Sequence, residues 1–534
     1  MKMIYNVKDK PKFGQLIIFA FQQLLAIMAA TIAVPMIVGN GMSTSAALFG
    51  AGVGTLIYVL FTKKKSPVFL GSSFAFLGAM FAAFGGAATA ALGYMGLIIG
   101  AALAGLVYVV IAIIVKFAGV KWINKIMPAV VIGPIVAIIG LSLAGNAISD
   151  LTKVNYTEQI DMATVQVAEI DSVGDDGAIA KTMVALNEDG TVNSGITLTQ
   201  AEDGAMTAST QPGSPYVAII CGLVTLAVVM LCSVYGKKMM RLIPFIIGIL
   251  AGYAVATIFY FIGKGTGDAS LMVIDYSALV NNFSEIGIGS FISLPDFSFL
   301  KAFGAFGELN GAYFGTIAAA YVPVAFVVFA EHIADHKNLS SIIEHDLLED
   351  PGLSRTLLGD GIGSMVGAFF GGCPNTTYGE SIGCVAITKN ASVNTIIVTA
   401  FEAIIISFIT PFVAFLSTIP SCVMGGVCIA LYGFIAVSGL KMLQKVDLDD
   451  NRNLFTASVI LIAGVGGMVL KFGNVTITEV ACALILGIVA NIVLGGMRKK
   501  NSEEAEAAEK VEAVEETEAV EEAEAVKETE PTEE

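Results

Sequence analysis

"GGCPNTTYGESIGCVAITKN", residues 371–390, breaks a hydrophobic run with Pro374, Thr376, Thr377, Gly379 and a single carboxylate, Glu380. Proline removes a backbone donor and excludes a regular helical turn, and adjoining threonines and an aromatic favour extended chain. Extended backbone survives at membrane depth only where it is paired internally or lines a cavity. The stretch therefore predicts a short extended segment near the bilayer midplane, followed by a half-helix that begins beside Glu380. A similar stretch, "PVFLGSSFAF" at residues 67–76, predicts a second such element.

Composition supplies the solvent. Hydrophobic residues make up 55% of the chain, charged residues 14%, and mean hydropathy is +0.79, the profile of a polytopic membrane protein and not of a soluble domain. The net charge of −16 does not argue for a basic partner or for nucleic acid, because of where it lies. Residues 501–534 carry fifteen Glu and two Lys, residues 148–215 carry eleven acids and two Lys, and the remaining body is about +6. The Ala/Glu/Val-rich end reads as a solvated, largely disordered tail with no role in catalysis. All seven cysteines fall in apolar segments, which is no disulfide framework. The first apolar run is too long for a secretory leader and lacks a small-residue cleavage site, so it is expected to remain as a membrane segment.

Apolar runs long enough for a hydrocarbon core of about 30 Å place segments near 13–38, 44–62, 67–86, 93–115, 126–147, 216–235, 242–263, 311–334, 355–372, 374–388, 391–418, 420–440, 453–470 and 475–497, fourteen in all. A missed segment would invert the charge bias of every later loop. With the N-terminus inside, 24 of the 29 basic residues fall on the cytoplasmic side, the exceptions being Lys153, Lys181, Lys264, Lys301 and Lys471. Both termini are therefore expected in the cytoplasm and the polar stretch 148–215 outside. Its "TVNSGITLTQ" and "YTEQIDMATVQVAEID" alternate polar with β-branched residues, which predicts either a small strand-rich lobe or a tolerated loop insertion.

The two halves echo each other. Pro128, Val131 and Gly133 in the fifth segment match Pro420, Val423 and Gly425 in the twelfth; "IIGILAGY" near Gly248 matches "LILGIVAN" near Gly487; and "GSSFAF" at 71–76 matches "NTTYGE" at 375–380. Each match is seven segments apart. A repeat of seven crossings must be inverted, and inverted repeats with broken helices meeting at the midplane mark secondary transporters. The half-helix N-termini then aim free N–H groups at one point.

Carboxylates inside a membrane are costly and functional by default, which singles out Glu380. A second cluster, "AEHIADHKNL", holds Glu331, His332, Asp335 and His336. Glu331 and Asp335 are four apart and share a helix face, whereas His336 points partly away. The two histidines do not form a zinc-hydrolase motif, since H-E-x-x-H needs Glu where Ile333 stands. No metal site, cofactor or catalytic residue is expected. The chain also has no G-x-x-x-x-G-K-[ST] loop for ATP-driven pumping.

"VFLGSSFAF", "AEHIADHKN", "DLLEDPGLSRTL", "PNTTYGESIGCVAIT" and "VMGGVCIALYG" resemble the uracil permease branch of the nucleobase/cation symporter family, which also includes xanthine, urate and ascorbate carriers. The resemblance covers Phe13 to Arg498 but neither the 148–215 stretch nor the acidic tail. It implies an all-α membrane fold of 14 transmembrane segments in two inverted repeats, with a core domain (segments one to four and eight to eleven) and a gate domain (the rest). It further implies a homodimer that imports a neutral base with a proton. Carried over by residue, it puts substrate contacts at Glu331 and Glu380, at the backbone of Phe74 and Gly379, and near Ala30, Ser73, Tyr378 and Tyr432. Uracil offers two N–H donors and two carbonyl acceptors, so carboxylates can accept while helix-start N–H groups donate. The aromatics would face the ring.

Two positions depart from the branch. Asp335 stands where His is frequent, and Gln22-Gln23 stand where Gln-His is frequent. Asp335 joins Glu331 and Glu380 as a candidate carrier of the coupling proton. Na⁺ coupling and a purine cargo such as xanthine remain open at this level, as do two readings from other classes, an anion transporter or channel and a receptor using the outer lobe. Hydropathy ends the eighth segment at 334, which sets Glu331 near the cytoplasmic edge; the resemblance sets it mid-membrane, with the helix continuing past Asp335 and protruding outside. The expected organisation is an N-terminal arm at 1–12, segments one to five at 13–147, the extracellular insertion at 148–215, segments six and seven at 216–264, an extracellular loop at 265–310, segments eight to fourteen at 311–498, and the tail at 499–534.

Overall fold

Inside hydrocarbon every backbone group must be satisfied within the protein, so the apolar runs become helices. The computed structural model describes residues 3–119, 128–173, 179–187, 191–193, 196–200, 206–237, 239–472 and 475–494. The expected tail at 499–534 lies outside the described residues. In chain order the first half contains α1 (Phe13–Val38), α2 (Thr44–Phe61), β1 (Leu70–Ser72), a 3₁₀ turn (Phe74–Phe76), α3 (Leu77–Gly85) and α4 (Ala90–Ala118). It continues with α5 (Ala129–Ser142), α6 (Ala144–Thr152), β2 (Glu158–Ile160), β3 (Gln166–Val173), β4 (Ile179–Leu186), β5 (Ile196–Gln200), β6 (Met206–Thr210), α7 (Pro215–Tyr235), α8 (Met239–Leu242) and α9 (Pro244–Thr266). After the short helices α10 (Ser277–Asn282) and α11 (Ser298–Ala302) come α12 (Gly311–Ile343), α13 (Leu353–Gly371), β7 (Asn375–Thr377), α14 (Gly379–Thr388) and α15 (Val393–Ser407). The chain closes with α16 (Thr410–Ser417), α17 (Ser421–Leu443), α18 (Asn451–Val465), the hairpin β8 (Leu470–Phe472) and β9 (Val475–Ile477), and α19 (Glu479–Leu494). Eight helices among the described residues are long and apolar enough to cross a membrane, counting α5 and α6 as one.

The helices pack in two groups. In the first, α2 lies against α13 and α15, α13 also against α4, α1 against α15, and α12 against α3 and α4. In the second, α17 packs on α5, α6 and α7, α9 on α7, and α18 on α5. The groups meet where α12 faces α5 and β9 and where α1 faces α9. Glycine sets the closest approach in the first group. A Cβ on Gly50 would sit 2.4 Å from the carbonyl oxygen of Gly367, and one on Gly54 2.7 Å from that of Gly363, so α2 and α13 touch backbone to backbone.

Several boundaries differ from hydropathy. The eighth segment runs to Ile343 rather than stopping at 334, because one face of its last turns is engaged by the protein: His336 and Leu339 are buried, and Asp335 and Ser340 are hydrogen-bonded to Thr377 and Leu347. The fifth continues as α6 to Thr152, into the stretch assigned to the insertion. The eleventh divides at Phe408–Ile409, where residues 291–293 pair alongside it: Ser293 donates to the carbonyl of Phe408 and Thr410 to that of Phe291. Strands occupy the polar stretch, as the sheet β2–β6–β5 and the antiparallel pair β3–β4. Both ends of this lobe are tied to the loop after α9, by Asn155 N–H to Val273 O (3.1 Å) and Ser214 N–H to Ser270 O (2.7 Å).

The N-terminal arm is not a loose end. Ile4 N–H donates to Lys389 O, Ala391 N–H to Tyr5 O and Val393 N–H to Val7 O, while the Ser392 hydroxyl donates to Asp9 O. The arm therefore straps the loop that follows α14.

Candidate functional site

The two proline-broken stretches meet. β1 and β7 form an antiparallel pair in register Leu70↔Thr377, Gly71↔Thr376 and Ser72↔Asn375, extended at its ends by Ser73 N–H to Pro374 O (2.9 Å) and Tyr378 N–H to Phe69 O (3.2 Å). All six paired residues are buried, so each strand satisfies the other in the protein interior. Side chains complete the frame. Thr55 of α2 both accepts from Leu70 N–H (2.9 Å) and donates to Leu70 O (3.2 Å), and Asn375 donates to Gly50 O at 3.1 Å. Phe69 N–H donates to the Ser381 hydroxyl at 2.9 Å, and the amide of Gln23 donates to the same hydroxyl. Gln23, noted in the sequence only as a departure, thus ties α1 to the residue after Glu380.

Each strand hands over to a helix. Phe74 opens the 3₁₀ turn and Gly379 opens α14, and neither start is capped by a side chain. Their first-turn N–H groups are free to donate to a ligand. Glu380 sits in the first turn of α14 and is half-buried, as is Phe74, while Gly379 is exposed. From α12, Glu331 is exposed and Asp335 half-buried. The Thr377 hydroxyl donates to Asp335 Oδ2 at 2.7 Å, which fixes the level of Glu331 and Asp335 at the strand crossing rather than at the end of their helix. Ser73, Ala30, Tyr378 and Tyr432 are all buried. The Tyr378 hydroxyl donates to Ser72 O (2.7 Å), and Tyr432 of α17 stands edge-on to Phe74 with ring centroids 6.3 Å apart.

The histidines are engaged with protein groups. His332 Nε2 lies 3.0 Å from Thr356 Oγ1 and Nδ1 lies 2.7 Å from Asp360 Oδ2. Thr356 gives its one hydroxyl proton to Leu353 O, so it accepts from Nε2–H, and the remaining contact, Nδ1 to Asp360, holds a single proton between ring and carboxyl. His336 donates from Nδ1 to His332 O (2.8 Å) and meets the Tyr58 hydroxyl at Nε2 (2.7 Å). Asp360 escaped the sequence reading, although an acid set between glycines in an intramembrane run, "GDGIG", carries the same signal that singled out Glu380.

Two clefts open between the helix groups. One, of about 510 Å³, lies between α12 and the second group, lined by Ala330, Ile333 and Lys337 with Ile132 and Met442 opposite. The other, of about 170 Å³, has Glu380 and Gly383 of α14 in one wall and Arg241 and Phe245 in another.

Residues 14–173 and 190–472 match a family model, Xan_ur_permease, described as the Permease family. The uracil permease of Bacillus caldolyticus is 36% identical over 500 residues, 93% of this chain and 95% of that protein. The uracil permease of Bacillus subtilis (strain 168) is 33% identical over 511 residues, 95% and 98% of the two chains, and that of Escherichia coli (strain K12) is 31% identical over 490 residues, 91% and 93%. Among solved structures, the transmembrane domain of the cyanobacterium bicarbonate transporter BicA superimposes with a TM-score of 0.54 at 14% identity, covering 91% of this chain and 99% of that one. SLC26A9 gives a TM-score of 0.55 at 12% identity, covering 91% of this chain and 66% of that one. At such identities these two share the fold alone. Matched by the family model along most of its length, and by relatives above 30% identity over nearly all of it, this multi-pass membrane chain belongs to the Permease family, in the uracil permease branch of the nucleobase/cation symporters.

Proposed function

We propose that the chain is a secondary active transporter that imports uracil in symport with a proton. The observation that carries this reading is the convergence at the strand crossing of Glu331 and Glu380 with the uncapped starts of α14 and the Phe74 turn. Two acceptors and two sets of backbone donors match the two N–H and two C=O groups of a pyrimidine base. The names of the nearly full-length relatives support the same cargo.

We read the eight long helices, together with β1–α3, α13, β7–α14, α15, α18 and α19, as fourteen segments in two inverted sets of seven. On this reading the first helix group is the core domain carrying the site and the second is the gate. Both termini lie in the cytoplasm, the β2–β6 lobe faces outward, and the molecule works as a dimer. Glu331, Asp335 and Glu380 share the coupling proton.

Labelled uracil uptake at two external pH values, in cells lacking their own carrier, tests the reading. Uptake that rises at acid pH and vanishes in a membrane-inserted Glu380→Ala variant supports it. Wild-type protein that moves no uracil, or a variant that moves it equally well, sinks it. A purine such as xanthine, or Na⁺ as coupling ion, would appear as competition or ion dependence in the same assay. The anion-transporter reading draws on fold alone, and two carboxylates at the crossing repel an anion.

A further inference from the structure

The smaller cleft is lined by a cation as well as by Glu380. Arg241 lies in α8, a single turn that packs against α14, and Arg241 and Glu380 both line the cavity of about 170 Å³. Among the described residues the guanidinium has no ion-pair or hydrogen-bond partner. The wall from α1, Leu25, Ala26 and Ala29, carries no charge. Among the described residues, the charged groups of α12 that interact electrostatically with Glu380 are Glu331 and Asp335, both acids. Asp360 of α13 is held by His332.

We propose that Arg241 is a positioning residue for transport: its guanidinium is the countercharge that the Glu380 carboxylate meets once base and proton have left toward the cytoplasm. The inference rests on the symport reading and deepens it. A carboxylate emptied beside two other acids in a low-dielectric cleft retains its proton unless a cation stands opposite. Retained, the proton blocks the return of the empty carrier. α8 also packs on α7 and α9 of the second helix group, while Glu380 belongs to the first, so the attraction acts across the surface along which the groups would move. Arginine suits the task because its charge persists at every working pH and its planar fork fits a carboxylate.

Initial uracil uptake rates across a pH series, in wild type, Arg241→Gln and Arg241→Lys at matched membrane levels, test this. Arg241→Gln is expected to lower kcat several-fold and to move the alkaline limb of the profile upward by about one pH unit, with a smaller change in KM; Arg241→Lys is expected to keep the wild-type limb. A glutamine variant with the wild-type limb overturns the proposal while leaving the symport reading intact. A second measurement does not depend on cargo. Purified Arg241→Lys treated with a water-soluble carbodiimide is expected to yield a zero-length cross-link to the peptide bearing Glu380, absent when Glu380→Gln is added. No such cross-link overturns the juxtaposition, whatever the protein carries.

Discussion

Asp360 Oδ2 lies 2.7 Å from His332 Nδ1, with both side chains fully buried, so α13 is bonded to α12 one residue beyond Glu331. The pair fixes the rotation of α12 about its axis and hence the direction in which Glu331 points. Removing Asp360 leaves His332 Nδ1 buried without a partner, with Nε2 still bonded to Thr356, at about 1–3 kcal/mol. Asp360→Ala should therefore lower the melting temperature of the purified protein, with Asp360→Asn less affected because an amide still reaches the ring. An unchanged melting temperature in Asp360→Ala would show that the contact does not stabilise the core.

Glu331 is exposed on α12, one turn before Asp335, where its carboxylate can accept. A hydrogen bond to a charged group contributes about 1.5–3 kcal/mol, so Glu331→Gln should weaken equilibrium binding of uracil by roughly ten- to a hundred-fold. A binding isotherm on purified protein reads this directly, and wild-type affinity would remove Glu331 from the contact set.

Thr377 donates to Asp335, and a donor to a carboxylate favours its ionised form. If Asp335 carries the coupling proton, Thr377→Val moves the alkaline limb of uptake to higher pH, and Asp335→Asn flattens the profile. Uptake measured across a pH series decides this; profiles that superimpose on wild type assign the proton elsewhere.

Gly71 leaves room for a ring. A Cβ there would fall 2.3 Å from Tyr378, whose hydroxyl bonds Ser72 O. Gly71→Val should push the tyrosine off β1, destabilise the crossing by about 1–3 kcal/mol and abolish uptake in a chain still present in the membrane. Normal uptake would mean that the strand pair tolerates a shifted Tyr378.

The β2–β6 lobe is joined to the rest through Asn155 and Ser214. Replacing residues 158–210 by a short Gly/Ser linker should leave uracil uptake within about two-fold of wild type, since no proposed contact lies there. A correctly inserted deletion that cannot transport would favour a binding role for the lobe.

Hydropathy and proline marked the long helices and the two extended segments, because lipid imposes a simple rule on apolar length and on broken backbone. It failed at α12, where Asp335, His336 and Ser340 look like the polar end of a helix but are engaged by Thr377, Tyr58 and Leu347. The low hydropathy of α13, "LSRTLLGDGIGSMVGAFFG", has the same origin: its glycines are buried against α2 and α4. Partners that lie far apart in sequence leave no local mark. Gln23 bonds Ser381, and the N-terminal arm pairs with 389–393 mostly through backbone groups, which no side-chain pattern encodes. The carboxylates were legible because charge is rare in lipid, whereas Arg241 was hidden among the many cations that the charge bias assigns to one side.

The pairing of β1 with β7 also sets an order of synthesis. Gly71 leaves the ribosome about 300 residues before Thr376, its partner, an interval of roughly 15–60 s at about 5–20 residues per second. Throughout that time the edge of β1 has no strand beside it. Thr55, made earlier, already occupies both the N–H and the C=O of Leu70, but nothing comparable precedes β7 at Gly71. The first half must therefore wait in the membrane with that edge hydrated or covered by the insertion machinery, and it becomes a finished wall only when the second half arrives.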